Sequence, residues 1–174
     1  MVRRITLVLL GFLLALSVAG CGDTTSGSPA TDTAAVKALF DPCTGIPDDA
    51  VREAGADPVT KEPGIAGVHQ SGWEICGWKG PTYFITVYST GRTVSEFERK
   101  PGNVEFKDVT VAGRQGRQFR VEGASKYLGC DVLFAASQGV LQLAVTNRPG
   151  QDSLEDPCTV LYRVGEPIVP LLPR

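Results

Sequence analysis

The sequence predicts an α+β domain built on one curved antiparallel β-sheet of about six strands, with helices packed on one face and two disulfides. Three observations carry this expectation. Six short runs alternate apolar and polar residues, and glycine-bearing turns separate several of them, which is the pattern of hairpins with one covered face. Asp-Pro-Cys occurs twice, at Asp41-Pro42-Cys43 and at Asp156-Pro157-Cys158. Aspartate is a good N-cap and proline suits the first helical position, so each triplet reads as a helix start. Finally, Cys43, Cys76, Cys130 and Cys158 form an even set across the same region.

The first helix start leads into Ile46-Pro47-Asp48-Asp49, where the acids suit a helix N-terminus and Gly55 suits its end, with a break at Pro47. Residues 57–72, rich in proline and glycine, read as a loop. Trp73–Trp78 and Tyr83–Ser89 then form a hairpin about Gly80-Pro81, with Trp73, Ile75 and Gly77 on one face and Glu74, Cys76 and Trp78 on the other. Thr93-Val94-Ser95-Glu96 is a capping box that opens a short helix, with Val94 and Phe97 on its buried side. Four further strands follow at Phe106–Val111, Gln118–Val121, Cys130–Ala136 and Val140–Thr146, with turns at Gly113–Gly116 and Ser137–Gly139. On the second of these, Phe119 and Val121 are expected to face in and Gln118 and Arg120 out. The last helix starts at Asp156, carries Leu161, Tyr162 and Val164, and must end or kink near Pro167.

Upstream of this domain the chain reads as an address. Arg3 and Arg4 precede an almost wholly apolar stretch from Ile5 to Ala19, which has the form of an export signal. At roughly 15 residues the stretch is shorter than the ~20 needed to span a bilayer. Val18-Ala19-Gly20-Cys21 resembles the lipobox of bacterial lipoproteins. That resemblance implies cleavage of residues 1–20 and acylation of Cys21, which would then hold the chain on the outer face of the cytoplasmic membrane. Two acyl chains on one residue meet the two-signal requirement for stable anchoring. Residues 21–35, the lipidated cysteine and a Ser/Thr/Gly/Pro-rich stretch, read as a flexible tether. Residues 36–174 are expected to form one domain.

Composition narrows the partners. Losing residues 1–20 removes Arg3 and Arg4 and no acid, so the formal net charge falls from −2 to −4. That argues against nucleic-acid binding, which normally shows a basic excess. An exported chain with four cysteines besides Cys21 suggests two disulfides. Cys43–Cys76 with Cys130–Cys158 is favoured, because each closes a loop of about 30 residues and would contribute on the order of 3 kcal/mol. Cys43–Cys158 with Cys76–Cys130 remains the rival, since it would join two similar helix starts. A metal site is not expected: there is no C-x-x-C pair, and His69 is the only histidine. No cofactor motif is present.

Phe40-Asp41-Pro42-Cys43-Thr44, Trp73-Glu74-Ile75-Cys76-Gly77-Trp78, a lone cysteine on a late strand and Asp156-Pro157-Cys158 together carry a family resemblance. With the lipobox upstream, the chain resembles the actinobacterial lipoproteins grouped as domain of unknown function 3558. The resemblance implies a cell-envelope location and paired cysteines. It brings no catalytic residues.

Chemistry-bearing motifs are sparse in this chain. His69 lies in a glycine-rich loop, and no nucleophile elbow exists. Asp48-Asp49, Glu53 and Glu155-Asp156 are the candidate paired carboxylates of a hydrolase, yet all fit helix starts or surfaces. Trp73 and Trp78 can stack on a ligand, and Arg114, Arg117 and Arg120 belong, with Arg99, Lys100 and Lys107, to a concentration of positive charge in one third of the chain. These five residues are the candidate ligand surface. The expected function is a noncatalytic, membrane-tethered module binding a lipid, a glycan or an envelope protein. The alternatives are an accessory subunit of an envelope or transport complex and a carboxylate-based envelope hydrolase.

Overall fold

The computed structural model describes residues 38–123, 126–150 and 154–174. The export signal, Cys21 and the tether fall outside the described residues. Seven strands form one antiparallel sheet: β1 (Asp57–Pro63), β2 (Trp73–Lys79), β3 (Tyr83–Thr90), β4 (Asn103–Val111), β5 (Arg114–Val121), β6 (Gly129–Ala136) and β7 (Gly139–Asn147). Their spatial order is β1-β2-β3-β7-β6-β5-β4. The helices are α1 (Pro42–Gly45), α2 (Asp48–Glu53), α3 (Val94–Arg99) and α4 (Pro157–Ile168).

The helix starts form as their sequences direct. Asp41 Oδ1 accepts from the Cys43 N–H, and Asp156 Oδ1 accepts from the N–H groups of Cys158 and Thr159. Thr93 and Glu96 cap α3 reciprocally. The disulfides are Cys43–Cys76 and Cys130–Cys158, the favoured pairing. Each ties the first turn of a helix to a strand.

Four details differ from the sequence reading. The sheet has seven strands, because Asp57–Pro63, expected within a loop, is an edge strand. Its two prolines are tolerated there, where one side of the ladder has no partner, and its residues are mostly exposed. Next, the β4–β5 turn is Ala112-Gly113, with φ values of 48° and 72°, a pair of left-handed residues that suits a two-residue hairpin. Arg114 therefore begins β5 instead of lying in a turn. On β5 the facing is also different: Gln118 and Arg120 are buried, while Val121 is exposed. Gln118 lies under α4, where the Tyr162 hydroxyl donates to its Oε1.

The fourth concerns the helices. α1, α2 and α4 pack on one face, over a core that includes Trp78, Ile85, Val87, Phe134, Leu143 and Leu161. α3 lies on the other face, where Phe97 clusters with Phe119, Leu133 and Val140. The strand order explains this. β3 and β4 are consecutive in the chain, yet β7, β6 and β5 stand between them, so the connection has to cross a face of the sheet. α3 is that crossing. Being only six residues long, it leaves much of its face uncovered.

A candidate ligand cleft on the open sheet face

Side chains alternate along each strand, so the residues turned away from the main core meet in rows across the open face. The register places Phe119 beside Asp131, Asp131 beside Ala144 and Ala144 beside Thr86. The adjacent row runs from Ile75 to Tyr88 to Gln142. These rows floor a cleft of about 490 Å³. The β1–β2 loop supplies Ile65 and Gln70 at one side; Phe97, Lys100 and Asn103 close another, and Lys126 and Val121 stand at the β5–β6 end. The volume is within the range of small-molecule sites, roughly 300–1,000 Å³.

The walls are aromatic. Trp73 meets Tyr88 and Phe97 edge-on, with ring centroids 6.1 Å apart in both cases. Phe97 leans on Phe119 at 6.2 Å, and Phe119 stacks with Phe106 at 5.3 Å. Four elements contribute to this arc, β2, β3, α3 and β5, and β4 supports it from behind through Phe106. Contacts of this kind add to the apolar burial and hold the rings in place.

One carboxylate lies in the floor. Asp131 Oδ1 accepts a 2.7 Å hydrogen bond from Gln142 Nε2. Burial raises the Asp131 pKa to about 6, and the Gln142 bond and the fields of Arg120 and Lys100 offset this only in part. Tyr88, in turn, is pushed above the usual phenol range by burial and by the Asp131 charge. The neighbouring cations are already engaged: Arg120 pairs with Asp156 at 2.9 Å and Glu105 at 3.6 Å, and Lys126 pairs with Glu105. Lys100 is exposed at the mouth.

Of the five residues expected to form a ligand surface, only Trp73 lines this cleft. Trp78 is 1% exposed in the core of the opposite face, because it alternates with Gly77 and faces the same way as Cys76. Its Nε1 has no hydrogen-bond partner among the described residues. Arg114 is buried and donates to the carbonyls of Leu172, Ala135 and Pro173, pinning the C-terminal segment to the sheet. Arg117 shares the α3 face but is held by Glu98 and Asp108. Arg120 braces the start of α4. The arginines are thus structural ties whose charge is spent on named partners.

The carboxylates weighed as catalytic sit elsewhere. Asp48 and Asp49 occupy the first turn of α2, with Glu53 at its end, and Glu155 pairs with Arg163. His69 lies exposed in the β1–β2 loop. Among the described residues no three His, Cys, Asp or Glu side chains converge as a metal site would require. Asp131, Tyr88, Phe97 and Phe119 are not among the site residues expected from the sequence; of the aromatic arc only Trp73 is. The available signal was Asp131 itself, one acid in a strand of otherwise apolar residues.

The architecture is that of an open-faced antiparallel α+β domain with a cleft on its less covered side. A family profile described as protein of unknown function (DUF3558) matches residues 16–171, so the chain belongs to that family. No curated protein and no solved structure matches it.

Proposed function

We propose that the protein is a noncatalytic binding module, held at the outer face of the cytoplasmic membrane through an acylated Cys21, that takes a small ligand with an apolar body into the cleft. The observation that carries this reading is the cleft: about 490 Å³, walled by Trp73, Tyr88, Phe97 and Phe119, with few polar groups converging on its floor. Concave, mostly apolar sites with a small number of placed polar groups are the usual form of small-molecule sites. The anchor rests on the lipobox-like Val18–Cys21 and the apolar stretch before it. Among the described residues no helix is long and apolar enough to cross a membrane. The noncatalytic part is supported by Asp131 being the one acid among the described residues of the lining, since two-carboxylate hydrolysis needs a pair about 5–9 Å apart.

Native mass spectrometry of the protein extracted from its own membrane tests both parts. Gly129 lines the cleft, and a Cβ added there meets nothing within 4 Å, so Gly129→Leu projects into the cleft without disturbing the sheet. The expected result is a chain beginning at acylated Cys21 that carries a small molecule, with that molecule lost in Gly129→Leu. An unmodified Cys21 overturns the anchor. A wild-type protein free of small molecules, or a Gly129→Leu variant that keeps them, overturns the cleft.

A further inference from the structure

Asp131 sets the chemistry of the guest. Resting on the cleft reading above, we propose that the ligand is an amine: an apolar or aromatic body bearing a protonated nitrogen, which donates to the free oxygen of Asp131. Only Oδ1 of this carboxylate accepts a hydrogen bond from the protein, the one from Gln142. Its second oxygen has no hydrogen-bond partner among the described residues, and no Lys or Arg among them lies within ion-pairing distance. Asp131 is half-buried and this oxygen opens onto the cleft, so the charge is partly desolvated with no cation beside it, which is costly. A guest ammonium supplies the missing partner.

The surroundings favour a cation over other donors. The groups facing Asp131 are Tyr88 from β3, Arg120 from β5 and Lys100 from the end of α3, with Lys126 at the rim. Arg120 and Lys126 are neutralised by Asp156 and Glu105, and Lys100 is exposed, so its field is screened by water. Phe119 sits beside Asp131 in the register, and Trp73 and Tyr88 complete an aromatic enclosure, whose ring faces attract cations. Arg92 already stands over the Trp73 ring, at 6.0 Å from its centroid. An anionic guest would meet an unpaired carboxylate at the floor. A neutral alcohol would gain one hydrogen bond and leave the charge unpaired.

Calorimetric titration of the membrane-extracted protein with 4-phenylbutylamine, 4-phenylbutanol and 4-phenylbutyrate holds the apolar body constant and varies the charge. At pH 7.5 the amine is expected to bind about tenfold tighter than the alcohol, the margin of one charge-assisted hydrogen bond, and the carboxylate weakest. Asp131→Asn, an isosteric change that keeps an acceptor for Gln142, should abolish the amine's advantage, so that amine and alcohol bind alike. In the wild type, lowering the pH from 7.5 to 5 should erode the same advantage without any mutation. An alcohol that binds as tightly as the amine, or an amine preference that survives Asp131→Asn and pH 5, overturns the amine assignment while leaving the cleft standing. If none of the three probes binds, the cleft reading itself falls.

Discussion

Gln142 Nε2 lies 2.7 Å from Asp131 Oδ1, joining neighbouring strands β7 and β6 across the floor of the cleft. This bond holds the Asp131 carboxyl in place without neutralising it. Burial still lifts its pKa to about 6, about two units above an ordinary aspartate. The folded protein therefore holds the proton more tightly than the unfolded chain. The stability linked to that proton is fully present below about pH 4 and is lost as the pH rises through about 6. By linkage the ionised form costs about 2–3 kcal/mol. Asp131→Asn is expected to raise the urea midpoint at pH 7.5 and to converge on the wild type near pH 4. A variant that is no more stable at pH 7.5, with a parallel pH profile, would show that Asp131 is not strained.

Asp156 has the opposite sign. Partial burial works to raise its pKa, but hydrogen bonds from Thr159, Arg120 and Cys158 outweigh it and hold the carboxyl below the usual range. Its contribution is present above the ordinary carboxylate range and is lost as the pH falls through and below it. Asp156→Ala should cost about 1 kcal/mol at neutral pH from the lost cap, and somewhat more from the lost ion pair with Arg120, which keeps Glu105 as a partner. Urea unfolding at pH 7 and at pH 3 should show the difference shrinking in acid.

Much of this was readable in the chain, and the failures have physical causes. Strands such as Tyr83–Ser89 alternate because one face packs against helices, so their faces and pairing emerge from residue order. Asp-Pro-Cys and Thr93–Glu96 act within one helical turn, where local chemistry decides the geometry. β1 was invisible because an edge strand need not bury anything: Val59 is 92% exposed and two prolines flank it. The cleft was invisible for a different reason. It exists because α3 has to cross over β7, β6 and β5 to reach the far edge, and strand order is not written locally. Alternation separates Trp73 and Trp78 onto opposite faces in the sequence, but which face is the covered core depends on the strand order, so one lines the cleft and the other fills the core.

Gly165 lets α4 pack closely against the sheet. A Cβ there would stand 2.4 Å from Val111 Cγ1 and 3.5 Å from Leu143 Cδ2. Alanine normally favours a helix over glycine by about 1 kcal/mol. Here overpacking should win, and Gly165→Ala is expected to destabilise by about 1–3 kcal/mol. The paired change Gly165→Ala with Val111→Ala should recover part of the loss, read from thermal unfolding as a double-mutant cycle.

Arg114 ties the C-terminal segment to β6, donating to the Leu172 and Pro173 carbonyls and to that of Ala135, and lies over the Phe134 ring at 5.3 Å. Arg114→Leu leaves those carbonyls without their donor and should cost about 2–4 kcal/mol. Limited proteolysis should then release residues 172–174 earlier than in the wild type. Unchanged stability and unchanged cleavage would mean that the tail is held by other contacts.

Each disulfide anchors a helix start to a strand, with sequence separations of 33 and 28 residues. Replacing either pair by alanine should lower stability by about 3 kcal/mol. Guanidinium unfolding of the two double variants tests this, and equal losses are expected because the loops are of similar length.

The most direct test of the cleft is a crystal structure of the protein extracted from its native membrane. The expected result is a bound molecule between Trp73 and Phe119, with a nitrogen within hydrogen-bond distance of the free oxygen of Asp131. A structure in which Trp73 and Lys100 fold inward and fill the space, or in which the guest sits elsewhere, would contradict it.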